Sequence, residues 1–307
     1  IRRGPLAAPT DATKVFAMST RGATTPPPAW VSGFPVDFAL ETIVNNTGGF
    51  LAASRLTSGN YLDTSSTNAE QAYSDYDFDY NNGWSSMTGV NSNNQSWMWK
   101  RAPGYFDCVA FSGTGSARTV SHNLSAVPEM LWIKRRSNTQ NWAVYHKGAN
   151  GGTDPEDYGL ELNSTSAEFN TNLYFNDTAP TSTVFTVGTQ AAVNTSGETY
   201  IAYLFATVAG VSKVGSFTHT SGSTNVDCGF TNGARFVLIK RTNTTGSWLL
   251  FDTARGINAS ANDPVLYLDS TAAQDSGYDL LEPLSSGFTV SGNDWGAGGD
   301  FIFYAIA

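Results

Sequence analysis

The sequence predicts an all-β protein, built from three tandem antiparallel β-sandwich or jelly-roll-like repeats of roughly 95 residues each. Turn-forming residues recur roughly every 8 to 12 positions, which is the spacing of short antiparallel strands. Charged residues make up 14% of the chain, and Ser, Thr, Asn and Gly are abundant, whereas exposed helices rely on Glu and Lys. A third observation is that one order of motifs occurs three times along the chain.

The internal alignment rests on short motifs at similar spacing. "MLWIKRR" and "RFVLIKR" align with Lys134 and Lys240 106 positions apart, and the first copy aligns 93 positions before the second, with Glu41 opposite Lys134. A Thr-x-x-aromatic pattern then leads to Phe50, Trp142 and Trp248. "YLDTSST", "LELNSTS" and "LYLDSTA" follow in the same order. We therefore divide the chain into an N-terminal arm (1–13), a divergent repeat (14–105) and two further repeats (106–211 and 212–307).

Local patterns assign elements within each repeat. The apolar runs before Lys134-Arg135-Arg136 predict central strands that are buried on both faces and emerge into solvent at the cations. The Thr-x-x-aromatic segments predict hairpins, in which Phe50, Trp142 and Trp248 pack the core of their own repeat. "STNAEQAY" predicts one short helical turn, and "TTPPPAW" predicts a rigid loop outside any sheet interior.

The segment "SDYDFDYNNGWSS" alternates aspartates with aromatics and predicts a strand with carboxylates on one face. An EF-hand loop that began at Asp75 would need Gly and Glu where Tyr80 and Ser86 stand. Asp75, Asp77 and Asp79 would lie about 7 Å apart on the strand and would need a neighbouring loop to chelate a cation. We predict no metal or cofactor, while cation binding by these carboxylates stays open.

Composition and motifs argue against several functions. The net charge is −9 and nucleic-acid binding needs clustered Lys and Arg, so no nucleic-acid partner is expected. No apolar run is long enough to span a bilayer, so membrane insertion is not expected. Cys108 and Cys228 are expected to be free buried thiols. The three histidines lie in unrelated positions of the repeats, and no enzyme is predicted. Since the chain starts without Met, we expect a piece of a longer or processed product.

The last two copies resemble a repeated domain of unknown function in tail-fibre-like and other virion structural proteins of tailed bacteriophages, especially marine phages. The resemblance is carried by "VSHNLSAVPEMLWIKRRSNTQNWAVYHKG", "YIAYLFATVAGVSKVGS", "DCGFTNGARFVLIKRTNTTGSW", "FDTARGI" and "FIFYAIA". It implies a virion-surface protein, such as a tail-fibre or spike segment that contributes to host attachment. It also implies a homotrimer that contacts other virion proteins and a glycan or protein of the host surface. The first copy departs from the pattern at Glu41 and lacks "DTARG".

Attachment would require exposed aromatic side chains, and Tyr76, Tyr80, Trp84 and Trp295 are the candidates. Two alternatives remain. A capsid decoration or head-fibre protein would need the same durable fold. A polysaccharide depolymerase would need a carboxylate pair in a groove.

Overall fold

A computed structural model describes residues 7–20, 27–73, 75–86, 93–259, 261–292, 295 and 298–307. Within the described residues the structure is nearly all-β, with several antiparallel sheets, which confirms the all-β prediction. Three larger sheets, called A, B and C in chain order, make up most of the molecule, and each is accompanied by a smaller sheet.

Sheet A is formed by strands between residues 16 and 99. The strands of this part of the chain are β1 Phe16–Thr20, β2 Trp30–Val31, β3 Phe38–Ile43, β4 Leu51–Ser54, β5 Asn60–Asp63, β6 Gln71–Ala72, β7 Gly83–Trp84 and β8 Asn94–Trp99. Sheet A has the order β1-β8-β3-β4-β5-β6, and β2 pairs with β7 in its smaller sheet. A short 3-10 turn, Ala12–Lys14, precedes it and is capped by the Asp11 carboxylate.

Sheet B is formed by strands between residues 106 and 205. The strands are β9 Phe106–Ser112, β10 Arg118–Ser121, β11 Met130–Arg135, β12 Ala143–His146, β13 Tyr158–Glu161, β14 Phe169–Asn170, β15 Val184–Val187 and β16 Thr199–Phe205. Sheet B has the order β14-β13-β12-β11-β16-β9, and β10 pairs with β15. The helical elements are 3-10 turns Ala149–Gly152 and Pro155–Asp157 and one-turn helices α1 Asn172–Phe175 and α2 Ala191–Asn194.

Sheet C is formed by strands between residues 212 and 306. The strands are β17 Ser212–His219, β18 Thr224–Asp227, β19 Phe236–Arg241, β20 Trp248–Asp252, β21 Leu266–Tyr267, β22 Leu281–Leu284, β23 Gly287–Val290 and β24 Gly299–Ile306. Sheet C has the order β17-β24-β19-β20-β21, and its smaller sheet has the order β18-β23-β22.

The same order of pairing occurs in all three main sheets. The aromatic-rich last strand (β8, β16 or β24) lies between the first strand and the strand that begins the hairpin. The hairpins β3–β4, β11–β12 and β19–β20 are antiparallel, as the Thr-x-x-aromatic segments predicted.

Strand register corrects the alignment of the first segment by one residue. In the hairpins, Glu41 pairs with Leu51, Ile133 with Ala143 and Ile239 with Leu249. Glu41 is therefore the residue equivalent to Ile133 and Ile239, and Thr42 is the residue equivalent to Lys134 and Lys240. The offset between the first two segments is 92 residues rather than 93. The sequence alignment missed this register because Thr42 and Lys134, which occupy equivalent positions, are chemically different residues.

The three sheets pack one face against a common central core. This cluster contains Phe38, Trp99, Trp132, Tyr203 and Phe236, together with Phe50, Trp142 and Trp248. The Phe38 ring lies 6.5 Å from Trp132 of sheet B, and Phe16 lies 5.3 Å from Phe236 of sheet C. The expectation that each segment buries these aromatics in its own core is wrong, because a shared core lets three small sheets bury far more apolar surface than each would alone.

The opposite face of each main sheet packs against its smaller sheet, which gives the sandwich-like character. Between sheet B and its partner lie Leu131, Tyr145 and Phe185. Corresponding clusters exist at sheet C and at sheet A, where Trp30 and Trp84 are buried. These two covered faces explain why the strands read as almost continuous apolar runs.

Two short helical features concern the local sequence. Residues 172–175 form helix α1, in which the Thr171 hydroxyl accepts a hydrogen bond from the Leu173 amide. Residues 66–73, expected to include a helical turn, contain no helix and end in β6, because this loop bonds to the neighbouring sheet. Residues 24–26 of the predicted proline-rich loop lie outside the described residues.

Candidate functional site: three equivalent joints

Each main sheet is attached to the next by a joint, which consists of a loop of one sheet and the β-hairpin turn of the following sheet. At joint AB, the backbone amide of Gln140 donates to the carbonyl of Thr67 (2.8 Å). In the opposite direction, the amide of Glu70 donates to the carbonyl of Arg136 (2.8 Å). These two bonds join the two segments of the chain as in a short stretch of antiparallel sheet.

The same pair of bonds occurs at the other two joints. At joint BC, the Gly246 amide donates to Thr165 (2.8 Å) and the Glu168 amide to Thr242 (3.0 Å). At joint CA, the corresponding bonds are Gly48 to Thr271 (2.9 Å) and Gln274 to Val44 (2.8 Å). Since sheet C bonds back to sheet A, the three sheets form a closed ring.

The sequence itself carries a signal for these joints. The docking loops share a Ser-Thr-x-Ala-Glu/Gln pattern at residues 66–70, 164–168 and 270–274. The hairpin turns share the Thr-x-x-aromatic pattern. A polar loop motif that recurs together with a turn motif indicates that the two touch, which neither motif indicates alone.

Joints AB and BC each contain a fully buried lysine. The Lys134 ammonium donates to the carbonyls of Thr67 (2.9 Å) and Gln140, and lies 6.0 Å from the Trp142 ring centroid. The Lys240 ammonium donates to Ser164 (3.4 Å) and Gly246, over Trp248. Burial lowers the pKa of both lysines to about 8. The expectation that the strands emerge into solvent at these cations is therefore wrong, since the neighbouring loop covers them.

The tryptophans beside these lysines also bond across the joints. The Trp142 indole N–H donates to the carbonyl of Asp63 (2.9 Å), and that of Trp248 donates to Glu161 (3.0 Å). Phe50, Trp142 and Trp248 are all at most 1% exposed. Trp142 and Trp248 each thus join two sheets by a hydrogen bond.

Joint CA has a different composition. Thr42 and Phe50 stand where the other joints have Lys and Trp, and the Thr42 hydroxyl donates to the Gly49 carbonyl (3.3 Å). Instead, the Trp97 indole N–H donates to the buried carboxylate of Asp252 (3.0 Å), which also pairs with Arg255 (2.7 Å). The Arg255 guanidinium lies 5.6 Å from the centroid of the Trp97 ring, so the cation here comes from the turn that follows β20.

The predicted binding aromatics are not an exposed surface. Tyr76, Trp84 and Trp295 are 4%, 0% and 7% exposed, and Tyr80 is half-buried. Their polar atoms are used internally: Tyr76 donates to Glu41 (2.6 Å), Trp84 to Ser96 (3.0 Å), and Trp295 to the Leu280 carbonyl (3.1 Å). The expectation of exposure is wrong for Tyr76, Trp84 and Trp295, because their rings fill the clusters between the main and the smaller sheets.

Residues 75–80 of the aspartate segment keep the alternation without forming a strand, and the predicted strand is wrong for this stretch. Tyr76 and Phe78 point into the core and Asp77 and Asp79 are exposed, but only Asp77 makes an isolated bridge. The Asp77 carboxylate accepts the Asp79 amide (2.8 Å), and Asp79 pairs with Arg55 (3.2 Å). In the described part of the chain, no group of three His, Cys, Asp or Glu residues is placed to hold a metal.

The histidines and cysteines have structural environments. The buried His146 accepts the Gly148 amide and donates to the Phe303 carbonyl of sheet C (3.2 Å), and burial lowers its pKa to about 3. Cys108 and Cys228 are free and buried, as predicted, and burial raises the pKa of both thiols. Within the described residues, no helix has the length and apolar character of a membrane span.

Fold and joints together define an all-β protein in which three sandwich-like sheets close around a shared aromatic core. The chain belongs to the family described as domain of unknown function (DUF7483), whose model matches residues 50–307. The match begins at Phe50, the aromatic residue of joint CA. No curated protein matches the chain.

Proposed function

We propose that the chain is a structural protein of a bacteriophage particle, a tail-fibre or spike-type segment at the virion surface that contributes to host attachment. The sequence resemblance described above supports the virion role. The observation that carries the proposal is the closed ring of joints, because it ties every main sheet to both others by backbone hydrogen bonds. A particle-surface protein needs such a fold, in which local opening is costly.

We further propose that the three sheets arose as tandem copies of one unit, with boundaries near 14–105, 106–211 and 212–307. The support is the common strand order and the equivalent hydrogen bonds of the joints. The resemblance implies a homotrimer in contact with other virion proteins. One chain already arranges three similar units in a ring, so a monomer resembles a trimer in its architecture. Native mass spectrometry distinguishes the two, because a homotrimer has three times the mass of one chain.

Two alternatives stand behind this proposal. A capsid-surface decoration or head-fibre protein would use the same ring without binding the host. A polysaccharide depolymerase would use a carboxylate pair, for which Asp77 and Asp79 are the exposed candidates. In our proposal the chain is not an enzyme and needs no cofactor.

Localisation in the particle tests the proposal. Phage particles are labelled with gold-conjugated antibody against the chain and imaged by electron microscopy, and the purified chain is titrated onto host cells. Label on the tail and saturable attachment support the proposal, whereas label on the capsid without attachment favours decoration. Reducing-end release from host polysaccharide would favour the depolymerase, and absence of the chain from particles would refute a virion role.

A further inference from the structure

A groove of about 370 Å³ lies at the open side of the sandwich formed by sheet C. The edge strands β17 and β18, each paired on one side only, form its walls. Six side chains give the groove its chemistry: Lys147, Lys213, Ser216, Phe217, Asn225 and Asp227. Its volume falls within the range of small-molecule sites.

The aromatic wall of the groove differs from its counterpart in sheet B. In sheet B, the Arg118 guanidinium lies 5.7 Å from the ring of Phe111 and covers it. The equivalent residues in sheet C, 106 positions later, are Thr224 and Phe217. Phe217 stacks on Phe301 at 5.2 Å and is half-buried, so part of this ring borders the groove.

Charged and polar groups line the rest of the groove. Lys147 is held by Glu129 (2.7 Å), whereas Lys213 has no ion pair within the described residues. Asn225 and Asp227 are exposed, and each uses one oxygen internally: Asn225 accepts from Thr289 and Asp227 from the Gly229 amide. Because Lys147 is already paired with Glu129, the Lys213 ammonium is the groove cation left to pair with an acidic group, in a groove that the Asp227 carboxylate also lines.

An added peptide strand fits this edge poorly. The Val214 amide already donates to the Thr207 hydroxyl (3.1 Å). Further along β17, Gly148 approaches so closely that a Cβ there would lie 2.8 Å from the Cβ of Ser216. These contacts occupy the backbone edge that a peptide would need, and leave the side-chain groove accessible.

We propose that this groove binds a sugar bearing a carboxylate or phosphate group, an inference that deepens the attachment role proposed above and rests on it. The apolar face of the sugar ring lies against Phe217, and its acidic group pairs with the ammonium of Lys213. Asn225 donates to hydroxyl oxygens through its amide, and Asp227 accepts from hydroxyl groups. Acidic sugars of bacterial surface polymers and free sugar phosphates share this chemistry.

Binding is tested on the intact chain with defined probes. Glucuronic acid and glucose 6-phosphate are titrated against ¹⁵N-labelled protein, with neutral glucose as the comparison. We expect amide shifts in 213–217 and 225–227, and acidic-sugar affinity at least about tenfold above that of glucose. K213Q should remove this preference and D227N should weaken both classes of sugar. T119A, at the equivalent position to Asn225 in sheet B, should change nothing.

The outcomes separate the groove from the attachment role. Shifts elsewhere, no shifts at tens of millimolar sugar, or unchanged acidic preference in K213Q would overturn the groove proposal. If the wild-type chain attaches to host cells and a K213Q/N225A variant attaches equally well, the groove proposal fails while attachment stands. If acidic sugars bind as expected but the chain does not attach to cells, the attachment role fails and the groove stands.

Discussion

Replacing Lys240 with methionine gives the sharpest test of the buried joint lysines. Methionine keeps most of the length of the side chain over Trp248 but removes the ammonium that bridges Ser164 and Gly246. Because burial disfavours the charged form, the folded protein bears a cost for this ammonium that the unfolded chain does not. This cost depends on pH, which distinguishes it from packing.

The size and sign of the effect follow from the pKa values. The pKa of Lys240 is lowered from 10.5 to about 8 in the folded protein. One pKa unit corresponds to about 1.4 kcal/mol, so the difference amounts to about 3 kcal/mol. Between about pH 8 and about pH 10.5 the unfolded chain binds more protons than the folded protein, so the lysine's contribution to the free energy of unfolding rises with pH. Below pH 8 the full cost is present.

The assay is urea unfolding followed by tryptophan fluorescence at pH 7.5, 8.5, 9.5 and 10. The free energy of unfolding of wild type minus that of K240M should rise by about 2 to 3 kcal/mol across this range. The buried thiols of Cys108 and Cys228, whose pKa is raised, act in the opposite direction, but they are present in both proteins and cancel. K100M, at a half-buried lysine outside the joints, controls for the loss of one positive charge.

A constant difference between wild type and K240M, or one that falls as pH rises, would refute the reasoning. The same experiment with K134M should give a rise of similar size at joint AB, since burial lowers the pKa of Lys134 to about 8 as well.

Three further predictions concern other parts of the molecule. W142F and W248F should each lower the free energy of unfolding by about 1 to 2 kcal/mol in urea titrations, because each removes an indole N–H bond across a joint while keeping an aromatic ring; a loss within error would show that the bond contributes nothing. D252N should destabilise by about 3 to 5 kcal/mol, since it leaves buried Arg255 without its counter-charge, and D227N serves as the exposed control. Cys108 and Cys228 should not react with a thiol reagent at pH 8 in the native protein and should both react in denaturant, because burial raises their pKa; rapid native labelling would contradict their burial.

Much of the fold was available from the sequence. The hairpins before Phe50, Trp142 and Trp248 follow from local turn chemistry, which depends on few residues. The apolar runs around Trp132 and Leu238 correctly predicted strands buried on both faces. What covers the second face was not predictable from periodicity, because a pattern records burial but not the identity of the neighbour.

The joints and the groove were harder to predict for physical reasons. A lysine at a strand end is normally exposed, so the burial of Lys134 and Lys240 depends on a loop from another sheet. The aromatics Tyr76, Trp84 and Trp295 were expected to be exposed, but their polar atoms have internal partners that only the fold brings close. Phe217 differs from Phe111 through the absence of a covering arginine, a distinction that requires strand register.

The shared aromatic core has a mechanical consequence. Because rings from sheets A, B and C form the walls of one interior, peeling away any sheet exposes the other two to water. Under hydrodynamic drag or a pulling force, we expect such a molecule to unfold in one cooperative step. A chain of independently folded domains would instead unfold one domain at a time.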